Sequence, residues 1–179
     1  YAKHKVIWQE DKLFLDAIPE HVHCVCGTGI ASVCSHESIN WQKWSKKDAL
    51  PETSGNYFLA EDVVLSEALE LAGDVDVKIC LNGHNIRADG PEGKSGDRIV
   101  GLKENAKFTI TDCTAHVENG TYVAGQLSGG SLSALLLRSQ SVNAVFTMYG
   151  GILTNNTAVT SGGAVCVQGT GSFVMYGGE

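Results

Sequence analysis

The chain has 179 residues, of which 20 are acidic and 13 are Lys or Arg, so its formal net charge is −7 at pH 7. This acidic balance argues against nucleic acid and anionic membrane surfaces as partners. No apolar run approaches the roughly 18 residues that a membrane span needs, and the 21 glycines favour a β architecture rich in turns.

Residues 1–20 mix charged and apolar side chains and end near Pro19. We interpret them as a linker or the tail of a preceding module, with a strand pair as the alternative. The pattern indicates no function for this stretch.

The densest chemistry lies in residues 21–36, which hold three cysteines and three histidines out of the six of each in the chain. Structural zinc sites take four N or S ligands, usually as close pairs joined by a loop. The spacing therefore predicts a structural zinc site in a small lobe spanning 21–50. The predicted ligands are Cys24, Cys26, Cys34 and His36, with His21 and His23 as alternates. A disulfide is the competing interpretation, because three cysteines can pair two and leave one over.

Two tryptophans three residues apart, Trp41 and Trp44, follow this cluster. Such a pair either packs a small module against its neighbour or offers a flat platform to a carbohydrate, and packing is the commoner use.

A β pattern begins at Asn56. Residues 66–72 predict a short helix with Ser66 as its N-cap and Gly73 at its end, which would cap the β region. Apolar residues then alternate from Val75 to Leu81, which is typical of a strand. The polar loop 87–97 carries three carboxylates, but their spacing matches no calcium-binding loop.

Three further cysteines, Cys80, Cys113 and Cys166, lie in or beside predicted strands. Cysteine is a small hydrophobe that is often buried, so we expect all three in the core. A bridge between Cys80 and Cys113 is the alternative in a secreted protein.

A hexapeptide repeat dominates the C-terminal part. Residues 146–151 read Phe-Thr-Met-Tyr-Gly-Gly and return as Phe-Val-Met-Tyr-Gly-Gly at 173–178, an offset of 27 residues (173 − 146). A weaker copy occupies 108–113, and an apolar run precedes each copy. Short strands repeated at this period predict an all-β fold, a right-handed parallel β-helix (solenoid) over 56–179. We expect the solenoid to be truncated at its C-terminal end. An antiparallel β-sandwich is the alternative.

These motifs together resemble adhesin-like cell-surface proteins of gut Firmicutes. The likeness spans about residues 21–179. It rests on His-x-His-Cys-x-Cys-Gly at 21–27, Cys-x-His at 34–36, Trp-x-x-Trp at 41–44, Cys-Leu-Asn-Gly at 80–83 and the two Met-Tyr-Gly-Gly copies. The resemblance implies a secreted or surface-attached bacterial parallel β-helix, and it gives little about chemistry.

Two functions follow as hypotheses. The first is an extracellular structural or binding module without catalysis, which meets a glycan or a surface protein of host or bacterium. The polar side chains expected to face such a partner are Thr147, Thr154, Asn155, Asn156 and Thr157. The second is a polysaccharide lyase or glycoside hydrolase, which needs suitably placed acidic or basic groups. No carboxylate occurs between Glu118 and Glu179, so we predict no catalytic residues.

Overall fold

A computed structural model describes residues 4–9, 12–17, 21–27, 35–88, 98–131, 133–137, 142–158 and 162–179, with strands 4–9, 12–17 and 133–137 described by backbone alone. Every regular element in these residues is a strand. The first ten are β1 (His4–Gln9), β2 (Lys12–Ala17), β3 (Val22–Cys24), β4 (Ser38–Asn40), β5 (Gln42–Trp44), β6 (Gly55–Leu59), β7 (Val63–Leu65), β8 (Leu69–Leu71), β9 (Asp76–Cys80) and β10 (Ile86–Ala88). The next ten are β11 (Arg98–Leu102), β12 (Lys107–Thr111), β13 (His116–Glu118), β14 (Thr121–Val123), β15 (Gln126–Ser128), β16 (Ser133–Leu137), β17 (Val145–Met148), β18 (Ile152–Leu153), β19 (Val165–Val167) and β20 (Ser172–Met175).

Most strands belong to three parallel sheets. The largest has six strands in the order β20-β17-β12-β9-β6-β5, and the others have four each, β18-β15-β10-β7 and β19-β16-β11-β8. From β7 onward the described strands visit the three sheets in a fixed rotation, and among them the antiparallel hairpin β13–β14 interrupts it. Two further antiparallel pairs, β1–β2 and β3–β4, lie near the N-terminus. Residues 4–17 therefore contain a strand pair, and their role as a linker or the tail of a preceding module stays a prediction.

The predicted single right-handed parallel β-helix over 56–179 is wrong as stated. The described strands form several small, mostly parallel sheets. The hexapeptide repeat indicates which strands pair with one another, but it does not determine how the chain divides into sheets. The alternative of an antiparallel sandwich is also wrong for the three main sheets, because all their strand pairs are parallel.

The predicted helical cap over residues 66–72 is wrong as well. Leu69–Leu71 form β8, which pairs with β11 in a parallel register. The side chains of Leu69 and Leu71 are both buried, whereas Glu70 between them is not. A strand places residues two apart on one face, and a helix would separate them by about 200°. Since the described part of the chain has no helix, it has none that could span a bilayer.

The core is built from equivalent residues of neighbouring strands. Phe146 pairs in register with Phe108 on one side and Phe173 on the other. Its ring centroid lies 5.9 Å from that of Phe108 and 5.0 Å from that of Phe173, with the planes nearly parallel. The two Met-Tyr-Gly-Gly segments thus lie side by side in one direction, and Tyr149 stacks on Tyr176 in the same way.

Candidate metal centre

Four side chains with metal-binding atoms converge beside the six-stranded sheet, where residues 21–41 meet it. We call residues 21–41 the N-terminal lobe, because β5, which follows them, already belongs to that sheet. His21, His23, Cys80 and Cys113 each offer one ligand atom, and these atoms all lie within 4.8 Å of one another. We call these four residues the His/Cys cluster. No other group of three or more such ligand atoms in the described residues lies as close together.

The sheet contributes the two thiols. Strands β9 and β12 are parallel neighbours in which Cys80 pairs with Thr111, so Cys80 ends one strand and Cys113 follows the end of the next. Val77 and Ile79 of β9 are fully buried in the main core. Because successive side chains of a strand point to opposite faces, Cys80 points away from that core. There it packs beside Phe58 and Trp41.

The backbone that carries Cys113 is fixed by its neighbour Asp112, whose side chain is 3% exposed. The Oδ1 atom of Asp112 accepts hydrogen bonds from the Gly83 and Thr114 amides, and its Oδ2 accepts one from the Gly125 amide at 2.6 Å. A carboxylate that binds three backbone amides holds three chain segments in one arrangement.

The lobe contributes the two imidazoles. His21 and His23 are two residues apart in extended backbone, so their side chains share a face. The His21 ring stacks on Phe58 with centroids 4.4 Å apart, and the His23 ring stacks on Trp41 at 4.6 Å. The Trp41 indole N–H also donates to the His23 carbonyl at 3.1 Å. Trp41 is 4% exposed, which confirms that it packs rather than presenting a platform.

The orientation of His23 leaves one ring nitrogen available for a metal. Its Nδ1 lies 2.6 Å from the Cys24 carbonyl oxygen, which can only accept, so Nδ1 carries the proton. In the neutral ring Nε2 then presents its lone pair, 3.0 Å from Nε2 of His21. Histidine ligands of metals are commonly held in this way, by a hydrogen bond from the opposite nitrogen.

The two thiols have different proton affinities. A hydrogen bond from Cys80 is the main reason that the pKa of Cys113 falls to about 5; burial opposes this, and His23 and His21 reinforce it. The same hydrogen bond, together with burial, raises the pKa of Cys80 far above its ordinary value. Burial lowers the pKa of His21, although Cys113 opposes the effect. The cluster therefore holds a thiolate and a largely neutral imidazole, the forms that bind metals.

The residues predicted as primary zinc ligands have a different arrangement from the alternates. The alternates His21 and His23 both belong to the His/Cys cluster. Cys24 and Cys26 lie with their sulfurs 2.8 Å apart, and His36 packs its ring edge-on to Tyr149. Cys34 lies outside the described residues, as do residues 89–97 of the polar loop. The set Cys24, Cys26, Cys34 and His36 stays a prediction.

Sequence reasoning missed Cys80 and Cys113 as partners of the histidines. Both are unbridged thiols, which does not support a Cys80–Cys113 disulfide. The missing signal was the register of β9 with β12, an offset of 31 residues (107 − 76) that differs from the 27 of the hexapeptide repeat. That register brings the ends of the two strands together and predicts that Cys80 and Cys113 lie close to each other.

In comparisons with known proteins, no protein-family model, no curated protein and no solved structure matches the chain. The resemblance to adhesin-like surface proteins stays a prediction. Functional inference for this chain therefore rests on its own geometry.

Proposed function

We propose that the chain is a non-catalytic structural and binding module in which a structural zinc ion, held by the His/Cys cluster, fastens the N-terminal lobe to the six-stranded sheet. The observation that carries the proposal is the convergence of two imidazoles and two thiols within 4.8 Å. None of the four residues of the His/Cys cluster belongs to the main hydrophobic core. The cluster is therefore a contact between the lobe and the sheet that is separate from that core.

The geometry suits zinc. With Zn–N near 2.05 Å and Zn–S near 2.3 Å, tetrahedral ligands lie about 3.3 Å (N to N) and about 3.6 Å (N to S) apart. The two Nε2 atoms are 3.0 Å apart, and Cys113 Sγ is 3.4 Å from His21 Nε2. A set of two imidazoles and two thiolates favours zinc over magnesium or calcium, which prefer oxygen. Four protein ligands fill a tetrahedron, which is typical of structural rather than catalytic zinc.

The ligands come from three separate segments of the chain, at 21–23, 80 and 113. One ion would close loops of tens of residues in a single step, which restricts the unfolded chain as a cross-link does. The lobe gains most from this, because Cys24 and Trp41 are the apolar side chains that its described residues bury.

We place this module in an extracellular, adhesin-like protein of the bacterial surface, which its sequence resemblance supports. A glycan or a surface protein is the proposed partner. Of the polar residues first considered for that contact, Asn156 is unsuitable. Its side-chain amide donates to the Leu127 and Thr154 carbonyls, and its oxygen accepts from Gly130. Asn155 and Thr157 are exposed and remain the better candidates.

Several acidic side chains on the described sheets serve structural contacts, which favours a module over a lyase or hydrolase. Asp112 binds three backbone amides, as described above. Glu70 is paired with Arg98 and, at 3.1 Å, with Lys103. Asp62 accepts from the backbone and the side chain of Asn85. Turnover of a panel of uronate polymers and glycosides is the experiment that would reinstate the enzyme.

Zinc content in matched cysteine variants tests the proposal. Cys113→Ser should bind one zinc ion fewer per chain than the wild type and unfold at a lower temperature. Cys166→Ser is the control, because Cys166 lies on β19, in a sheet that contains neither β9 nor β12. It should retain the zinc content of the wild type. Unchanged zinc content in Cys113→Ser would contradict the proposal. A glycan array on the zinc-loaded protein then tests the binding role.

A further inference from the structure

The strand β3 carries a second group of potential ligands next to the first. Because side chains alternate along extended backbone, His23 and Cys24 point to opposite sides of β3. The histidines therefore face the sheet thiols, and Cys24 faces elsewhere. Its Sγ lies 2.8 Å from Sγ of Cys26, and we call these two residues the thiol pair.

A tight turn holds the thiol pair. The Gly27 amide donates to the Cys24 carbonyl at 3.1 Å, and Gly27 has φ +70°, a conformation that favours glycine. A Cβ atom at Gly27 would lie 2.5 Å from Thr111 Oγ1 and 2.7 Å from the Asp112 carbonyl oxygen. The turn is therefore pressed against the end of β12, and both sulfurs have a fixed place relative to the sheet.

A histidine shares the space beside this turn. Cys26, His36, Tyr149 and Tyr176 line a shallow cavity of about 320 Å³. The His36 ring meets Tyr149 edge-on at 5.6 Å, and Tyr149 is stacked on Tyr176. The negative charge of Cys26 contributes, after burial and Tyr176, to a raised pKa of Tyr149, which agrees with a sulfur close to this wall.

We propose a second zinc site, distinct from the His/Cys cluster, in which Cys24, Cys26 and His36 are ligands. Thiolate sulfur and imidazole nitrogen are the donors that zinc prefers. The S–S distance of 2.8 Å lies between the roughly 2.05 Å of a disulfide and the roughly 3.8 Å of two sulfurs on one tetrahedral zinc ion. A disulfide between Cys24 and Cys26 is therefore the outcome that the experiment must separate from a metal site.

The test is the zinc stoichiometry of the purified chain, loaded with zinc alone. We expect two ions per chain in the wild type and one in Cys26→Ser. Cys26→Ser should hold its ion at the His/Cys cluster. Cys113→Ser should also bind one ion, but at the second site. The Co²⁺-substituted forms distinguish the two, because each single-site variant should keep a different sulfur-to-cobalt charge-transfer band. Cys166→Ser should bind two ions.

The wild-type protein provides a readout that needs no variant. Loaded with ¹¹³Cd, it should show two cadmium resonances. A single resonance, or equal zinc content in the wild type and Cys26→Ser, would overturn the second site and leave the first intact. If the denatured, unreduced wild type has two titratable thiols fewer than the reduced protein, a disulfide is present. That result would also overturn the second zinc site. Unchanged zinc content in Cys113→Ser would instead count against the His/Cys cluster.

Discussion

The parallel sheets and the N-terminal lobe bury very different surfaces. In the sheets, apolar side chains of neighbouring strands pack against one another, as where Phe146 stacks between Phe108 and Phe173. In the described part of the lobe, the buried apolar side chains are those of Cys24 and Trp41. Trp41 packs beside Phe58 and Cys80 of the sheet, and ring stacking and the converging ligands add to this contact.

The difference shows how two parts of one chain can depend on separate sources of stability. Burial of apolar surface is roughly proportional to area and is non-directional, so the stability that it gives the sheets is spread over many side chains. A metal site needs four atoms in fixed positions, and its free energy of binding becomes free energy of folding for the residues it holds. We therefore expect changes in the core and changes around the cluster to have separable effects.

The largest effect is expected from Phe146→Ala in the core of the sheets. Removing a fully buried Phe ring costs about 3–5 kcal/mol of unfolding free energy, and Phe146 is 0% exposed. Chemical denaturation measures the loss. Tyr176→Ala is the control, because Tyr176 is 70% exposed although it stacks on Tyr149. Comparable losses in both variants would contradict the importance of burial here.

Gly27→Ala should produce the next effect, at the junction of lobe and sheet. Its matched control is Gly120→Ala, since Gly120 has φ +80° but no atom within 4 Å of an added Cβ. The left-handed conformation costs about 1–2 kcal/mol for a residue with a Cβ, so Gly120→Ala should lose about that amount. Gly27→Ala should lose more, because its Cβ would also lie 2.7 Å from the Asp112 carbonyl oxygen. Only Gly27→Ala should also weaken zinc binding, because its Cβ would meet Thr111 and Asp112. Equal zinc affinities in the two variants would show that this packing does not support the cluster.

Trp41→Phe should weaken zinc binding about tenfold, the lower end of the range for residues that orient metal ligands. The variant keeps an aromatic ring against His23 and removes the indole N–H that donates to the His23 carbonyl. Trp44→Phe removes a similar hydrogen bond, to the Ala49 carbonyl at 2.8 Å, away from the cluster. Competition with a chromophoric chelator compares the two. Equal affinities would show that the hydrogen bond has no part in orienting His23.

The smallest effect concerns pH. Cys113 already has a low pKa of about 5, and the pKa of His21 is also lowered, so above pH 6.5 zinc must displace chiefly the proton of Cys80, whose pKa is raised. Loss of one proton per ion makes the apparent affinity of the cluster rise about tenfold per pH unit. Chelator competition with Cys26→Ser between pH 6.5 and 8 measures the slope. A hundredfold rise per unit would show that Cys113 is protonated too.

The sequence was most informative where side chains repeat. The Met-Tyr-Gly-Gly copies predicted correctly that Phe146 and Phe173 lie side by side, because period two and a fixed offset are properties of local sequence. The helix predicted over 66–72 failed because capping residues and apolar content do not distinguish a helix from a short strand. Pairing of Leu69 with Val100 decided the outcome, and that contact is distant in sequence.

The candidate site was predictable only in its lobe half. His21 and His23 stand in a conspicuous cluster, but their sheet partners lie 57 and more residues away (80 − 23) and resemble ordinary core cysteines. Strand alternation explains why the two kinds of ligand separate. Histidines at 21 and 23 share one face, and Cys24 points to the other. The prediction of a single zinc site in residues 21–36 did not take into account that the histidines and Cys24 lie on opposite faces of the strand.

Hydrogen exchange of the zinc-loaded protein, before and after chelation, tests most directly whether the lobe depends on metal and the sheets on burial. We predict that chelation removes protection from the Gly27 and Trp41 amides, which bond within the lobe. The Leu81, Tyr149 and Tyr176 amides, which bond across the six-stranded sheet, should keep theirs. Equal loss in both regions, or no loss in the lobe, would contradict the account.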